Sequence, residues 1–509
     1  MITDSVTSIG ECAFYSCGGF TGSLTIPDSV TSIGEDAFSY CSGFSGSLTI
    51  PDSVTSIGGN AFSYCSGFTG SLTIPASVTS IGYNTFSGCS GFTGSLTFPS
   101  GLTSIGYRSF YGCSGFTGTL TIPESVTSIG DWAFYGCGGF TGSLTIPSGV
   151  TIIGEGTFYG CSGFTGDLVI PDSVTTIYGA AFCDCSGFNG SLYISQNAVS
   201  IGGSAFDNCT GLTGDLIIPS GLTAINPGTF SDCAFTGSLT IPDGVTEIGS
   251  HAFNNCCFNG SLTIPDSVTR IGNDVFRYCS GFTGSLTLPD GVTSIGGGAF
   301  YGCSGFTGSL TIPGSLSVID DYTFYDCTNL SSVTIPDSVT SIGLNAFYGC
   351  SSLTHVQYDG GEEDWNIIDI ASGNELLCIV AGFQKCEPLL LNMDTTTEIT
   401  AGGELVLFSY IPVESGTYVF SSTGDYDTYG YLYDASMKQI ASNDDGGFNS
   451  NFRISCQLIA GNKYYFGADF MLLPIPEVSM YGWFFKTPGG RWKMVSSRFG
   501  NRLHAGLQC

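Results

Sequence analysis

The stretch Ser23–Gly46 reads SLTIPDSVTSIGEDAFSYCSGFSG, and the next 24 residues, Ser47–Gly70, repeat it with few changes. The period can be counted on one cysteine per copy: Cys17, Cys41, Cys65, Cys89, Cys113, Cys137, Cys161, Cys185, Cys209, Cys233, Cys256, Cys279, Cys303, Cys327 and Cys350. These fifteen are spaced 24 residues apart, with three steps of 23, and a phenylalanine keeps the same beat three positions earlier from Phe14 to Phe347. A fixed period of this length, with apolar residues at constant offsets, predicts a solenoid in which each turn buries its apolar face only against its neighbours.

One turn reads as three sides around an apolar interior. In Leu48-Thr49-Ile50 two aliphatics alternate with a threonine, which predicts a short strand with leucine and isoleucine inward and threonine outward. Pro51 and its equivalents, such as Pro27, Pro75 and Pro99, lack an N–H, so hydrogen bonding between turns should stop there. Val54 and Ile57 supply two more inward aliphatics before the glycine Gly58 bends the chain. The spacing of Ala61, Phe62 and Cys65 then predicts a single helical turn as the third side.

The pattern LTIPxSVTSIGxxAFxxC resembles the BspA-type (Treponema-type) leucine-rich repeat over about 350 of the 509 residues. The resemblance implies a leucine-rich-repeat right-handed superhelix of about 15 turns. At about 4.8 Å per turn the array would span on the order of 70 Å. Such a repeat is a scaffold, so its function rests on whatever its exposed faces carry.

Composition agrees with this class: 42% of residues are hydrophobic, 11% are charged and 75 are glycine, too apolar for a disordered chain and too glycine-rich for a helical bundle. No apolar run approaches the 18 residues of a membrane-spanning helix. The formal net charge is −30, and residues 1–355 hold three basic and 24 acidic residues. Such a surface repels nucleic-acid phosphates and anionic lipids and favours basic or neutral partners.

The sequence divides into four expected parts: the array at 1–355, an array-closing segment at 356–387, an all-β domain at 388–470 and a tail at 471–509. Met1 aligns with the middle of a turn, which reads as an N-terminally truncated array. Val356–Leu377 resembles the segment that closes many BspA-type arrays of gut bacteria, and Trp365 would then cover the last turn. Alternating stretches in ELVLFSYIP, GTYVFSS and KYYFGAD predict a small β-sandwich. DTYGYLYDASMKQIASNDDGGFNSNFRI, followed by LIAGNKYYF, resembles the bacterial pre-peptidase C-terminal domain, departing from it at Met437-Lys438, where a glycine turn is common. The tail carries Lys486, Arg491, Lys493, Arg498 and Arg502, five of the twelve basic residues, and reads either as a basic arm or as sequence from a misread frame.

A catalytic grouping is not visible. His251, His355 and His504 lie in different regions, and no GxSxG, HExxH or Walker-type sequence occurs. The ladder cysteines read as reduced core thiols, because in-register Cβ vectors run parallel and one cysteine per turn gives no paired metal ligands. Cys12, Cys183, Cys257, Cys378, Cys386, Cys456 and Cys509 lie off the ladder, and Cys378 and Cys386 could pair. Asp425, Asp427, Asp434, Asn443, Asp444 and Asp445 supply hard oxygens suited to calcium, while Asn443–Gly447 equally suits a β-turn. Thr25, Thr49, Thr73, Thr97, Thr121 and Thr145 form an outward hydroxyl column that Val169, Tyr193 and Ile217 interrupt, which spoils a lattice match of the ice-binding kind. Tyr15, Tyr111, Tyr135, Tyr159 and Tyr301 recur just before the ladder cysteine and read as aromatic anchors or as packing.

These features favour a non-enzymatic protein-binding module. The resemblances imply a bacterial surface or secreted protein, with adhesion to host, matrix or bacterial surface proteins. The alternatives are a spacer presenting another domain and an accessory region of a secreted hydrolase.

Overall fold

The computed structural model describes residues 2–365, 367–374 and 376–377, and beyond them 387–388, 406–410, 416–421, 428–434, 438–443, 453–459, 462, 464–470, 483–486, 492–499 and 502–506. Two compact units are present, Met1–Ser331 with Gly349–Ser352, and Ser332–Tyr348 with Leu353–Cys509.

In the first unit the strands pair in parallel, each with its equivalent in a neighbouring turn. Leu72 and Thr73 face Leu96 and Thr97 on the first side, and Ser32 and Ile33 face Ser56 and Ile57 on the second. The alternation read from the sequence holds, with Leu72 and Ile74 buried and Thr73 between them exposed. At the proline the backbone ladder breaks as expected, and side chains fill the gap. Val54 N–H closes a tight turn onto Pro51 O at 3.0 Å, while Ser53 Oγ donates to Val30 O of the preceding turn at 2.7 Å. Bonding between turns resumes at Thr55, whose N–H donates to Thr31 O at 2.9 Å.

The third side is not a helical turn. In all fifteen turns the residues two before and two after the phenylalanine adopt positive φ, as at Asn60 (54°) and Tyr64 (57°) around Phe62. A right-handed helix cannot pass through these positions. Asn, Asp and Gly, which tolerate the left-handed region, fill most of them. The N–H groups then alternate in direction. Ala61 and Ser63 donate within the turn to Gly58 O and Asn60 O, whereas Asn60, Phe62 and Tyr64 donate to Tyr83, Thr85 and Ser87 of the next turn. The spacing of Ala, Phe and Cys is compatible with either geometry, which is why it suggested a helix.

Two aromatic ladders fill the core. The first, from Phe14 to Phe324, stacks ring on ring at 5.1–5.7 Å. The second runs through Phe44, Phe68 and Phe92, and its rings meet the first edge-on, as Phe62 and Phe68 do at 6.3 Å and 71°. In the turn of Phe14, Phe14 is half-buried and Phe20 exposed. Gly67 packs against the preceding turn so closely that a Cβ there would collide with the carbonyl oxygens of Phe44 and Ser42.

The ladder cysteines from Cys41 to Cys350 are buried free thiols. They are more than small hydrophobes. Each of these fourteen thiols donates to the carbonyl oxygen of the phenylalanine one turn earlier, as Cys65 does to Phe38 O and Cys89 to Phe62 O, both at 3.0 Å. That oxygen also accepts the cysteine N–H of its own turn, such as Cys41 N–H onto Phe38 O at 3.1 Å. The S–H group thus occupies the second lone pair of a buried carbonyl.

In the second unit the last turn meets the closing segment. Ser341 and Ile342 pair in parallel with Asp369 and Ile370, and Trp365, 3% exposed, packs edge-on against Tyr358 at 5.2 Å. Asn374 takes the place of a further turn. Its Oδ1 accepts Phe347 N–H at 3.0 Å, the bond that Phe62 N–H makes to the next turn's Thr85 O, and its Nδ2 donates to Gly343 O at 2.8 Å. C-terminal to this, the described strands form a sheet in the order Glu387–Pro388, Val406–Tyr410, Tyr464–Phe470, Thr428–Tyr433, Gln439–Asn443. An antiparallel pair joins Gly416–Ser421 to Arg453–Leu458, and an antiparallel meander joins Trp483–Lys486, Trp492–Phe499 and Arg502–Gly506.

Candidate functional site

The buried thiols are unsuited to nucleophilic chemistry. Burial pushes the Cys65 and Cys279 thiols up to about 12, and the off-ladder Cys183 likewise to about 12, leaving them protonated at neutral pH. Cys378, Cys386 and Cys509 lie outside the described residues. Among the described residues no group of three or more His, Cys, Asp or Glu side chains converges as a metal site. Of the calcium candidates, Asp425, Asp427, Asp444 and Asp445 lie outside the described residues, and Asn443 is described only as the end of a strand. Asp434 closes a hairpin: its Oδ1 accepts Lys438 N–H at 3.1 Å, and its own N–H donates to Lys438 O at 3.0 Å. Lys438 therefore supplies the turn with backbone groups, and Met437 lies outside the described residues. His251 is exposed, its Nδ1 4.0 Å from Asp274 Oδ2.

The third side carries the aromatic features. Tyr111, Tyr135 and Tyr159 are half-exposed and stack in consecutive turns at 4.5 and 4.8 Å, nearly parallel at 5° and 19°. Trp132 lies 5.6 Å from Tyr135, and the Arg108 guanidinium sits 5.2 Å from the Tyr111 ring. Further along, Tyr301 stacks on Tyr325 at 4.4 Å, and Arg277 lies 4.2 Å over Tyr301 while bonding Asp274 at 3.0 Å. Tyr15 is 49% exposed and meets Tyr40 edge-on at 5.9 Å. The reading by position missed Tyr40, Tyr64 and Tyr278, which stand one residue later than the five expected tyrosines. They belong to the same surface: Tyr40 and Tyr64 stack at 4.9 Å, and Tyr278 meets Tyr301 at 5.3 Å. Tyr64 lies over Gly88 of the next turn, where a Cβ would meet its ring. The sequence signal was available as the exchange of Tyr-Gly for Ser-Tyr before the cysteine.

Between the two tyrosine groups the third side is polar. Asn208 Nδ2 donates to Asp184 Oδ1 at 2.7 Å, and Asn255 Nδ2 to Asp232 Oδ1 at 2.8 Å. Asp184 also receives a hydrogen bond from Tyr159, which together with nearby Cys183 raises the Tyr159 hydroxyl well above its usual value. The result is a surface ladder of pre-stacked aromatics bordered by acidic side chains, suited to non-covalent contact.

The model of the BspA type leucine rich repeat region matches residues 1–117, 90–166, 164–283 and 282–366. No curated protein matches. Among solved structures, a leucine-rich repeat protein from Bacteroides ovatus is 28% identical, with 66% of this chain and 74% of that chain covered and a TM-score of 0.36. A leucine rich cell surface protein from Faecalibacterium prausnitzii is 26% identical over 72% of this chain and 90% of that chain, with a TM-score of 0.37. With its matched segments running through residue 366 of 509, the chain belongs to the BspA type leucine rich repeat family.

Proposed function

We propose that this chain is a non-enzymatic, adhesin-like protein-binding module that acts at the cell surface or after secretion, through the exposed faces of its repeats. The observation that carries the reading is the column Tyr111, Tyr135 and Tyr159, three half-exposed rings stacked at 4.5 and 4.8 Å. Rings already held by their neighbours lose little side-chain freedom on binding, and tyrosine offers both an apolar face and a hydroxyl. Contacts repeated from turn to turn add strength through simultaneous engagement. The acidic surface favours partners with basic or neutral faces.

The test is binding of the full chain to immobilised host extracellular-matrix proteins and bacterial surface proteins. It is compared with the variant Tyr111→Ser, Tyr135→Ser, Tyr159→Ser, because serine stands at this position in Ser39, Ser63 and Ser87. The expected result is at least a tenfold loss of affinity for a bound partner. Binding that survives in this variant and is lost on removal of residues 388–509 would make the repeats a spacer.

A further inference from the structure

The first side of the array is a column of threonines from Thr25 to Thr145, then Val169, Tyr193 and Ile217 in three consecutive turns, then threonine again at Thr240. The exchange is confined to one place and leaves the fold intact: Val169 pairs in register with Tyr193, and Leu168, Leu192 and Leu216 beside them stay buried. The three side chains point outward and are 50%, 43% and 55% exposed. In the first unit the large aliphatics left exposed are Ile152, Val169, Val199, Ile217 and Val318, so four of the five fall between residues 152 and 217. A contiguous apolar strip on an otherwise hydroxyl-bearing face marks a contact surface.

Acids border the strip on both sides. On one flank Asp167 and Asp215 are exposed and held in place, Asp167 Oδ1 accepting Ser191 N–H at 2.7 Å and Asp215 Oδ1 accepting Ser238 N–H at 2.6 Å. On the other flank Asp172 Oδ1 accepts the Tyr193 hydroxyl at 2.9 Å. No lysine or arginine occurs between Arg108 and Arg270. The same patch on a second copy would bring these carboxylates together, which disfavours self-association.

We propose that Val169, Tyr193 and Ile217 dock an amphipathic helix of a protein partner, with lysine or arginine on both sides of its apolar stripe. The spacing selects a helix: successive turns of the array lie about 4.8 Å apart. Apolar residues at i, i+4 and i+7 of a helix rise by about 5.4 Å per turn, whereas alternate residues of an extended strand lie nearly 7 Å apart. A helix lying along the stack therefore keeps step with three turns, and its flanking cations meet Asp167, Asp215 and Asp172. This deepens the reading of the array as a protein-binding module by naming a partner class and a second face.

The probe is a fluorescent 18-residue helical peptide with leucine at i, i+4, i+7 and i+11 and lysine on both flanks, titrated with the full chain by anisotropy. Its controls are a scrambled peptide of equal charge and an alternating Lys-Val strand peptide. The triple variant Val169→Thr, Tyr193→Thr, Ile217→Thr restores the residue carried by neighbouring turns, so it should fold as the parent does, which circular dichroism checks. The expected results are saturable binding of the helical peptide, at least tenfold weaker for the triple variant, and a shallower salt dependence for Asp167→Ser with Asp215→Ser. Equal binding by the scrambled peptide, preference for the strand peptide, no loss in the triple variant, or a parent dimer that this variant dissolves would each overturn the proposal. The tyrosine variant of the preceding section should bind the helical peptide normally, so the two readings fail separately.

Discussion

Phe62→Ala tests the energetic basis of the array. The ring is fully buried, stacked on Phe38 at 5.4 Å and Phe86 at 5.5 Å and edge-on to Phe68 at 6.3 Å. Truncating a buried phenylalanine costs about 3–5 kcal/mol through lost transfer energy and the cavity left behind. Three aromatic pairs, each contributing about 0.5–1.5 kcal/mol beyond area, put this site at the upper end, about 5 kcal/mol. Phe14, half-buried with one stack at 5.1 Å and one edge contact at 6.1 Å, should cost about half as much on the same change. Urea unfolding followed by circular dichroism gives the totals, and native-state hydrogen exchange locates the damage. Protection should fall in the turns of Phe38, Phe62 and Phe86 and hold five turns away, because each turn leans only on its neighbours. A cost below about 1 kcal/mol, or equal costs at Phe62 and Phe14, would refute this reasoning.

The thiols of Cys65 and Cys89 should resist labelling by a thiol reagent in the native protein and react fully in denaturant, since both are 0% exposed. Native thiols held up to about 12, as at Cys65, stay protonated where those of the unfolded chain ionise. Stability present below pH about 9 should therefore fall as pH rises toward 12, read as a declining urea midpoint. Asn374→Ala should cost about 1–3 kcal/mol by removing the acceptor of Phe347 N–H, while Gly343 O keeps the N–H of Ala346, and should lower protection in the last turn first. Gly67→Ala should destabilise more than Gly101→Ala, whose Cβ meets nothing within 4 Å.

The repeat, its period and its inward residues were legible because each apolar position recurs some fifteen times, so an inward leucine or phenylalanine cannot be mistaken for chance. The strands around Leu407, Val419 and Phe466 were legible from alternation. The third side was not. Ala61, Phe62 and Cys65 have helical spacing, and the decisive fact, positive φ at Asn60 and Tyr64, is a backbone property that a tyrosine gives no hint of. The cysteine bond to the phenylalanine carbonyl was hidden for a similar reason, since a buried thiol looks apolar until its acceptor one turn away is placed. The place of Asn374 at the end of the array was not legible because Phe347 and Gly343, the partners it takes from the last turn, lie 27 and 31 residues away. At the surface the tyrosine columns were legible one turn at a time, but their continuity depends on which rings stack.

The most direct test of the central claim is hydroxyl-radical footprinting of the full chain, with and without a protein partner identified in the binding assay. Oxidation of each tyrosine is read by mass spectrometry. The account predicts protection of Tyr111, Tyr135 and Tyr159 on binding, while Tyr431 and Tyr433 react as before. Protection confined to Tyr431, Tyr433 and the strands around them, with the repeat tyrosines unchanged, would contradict it.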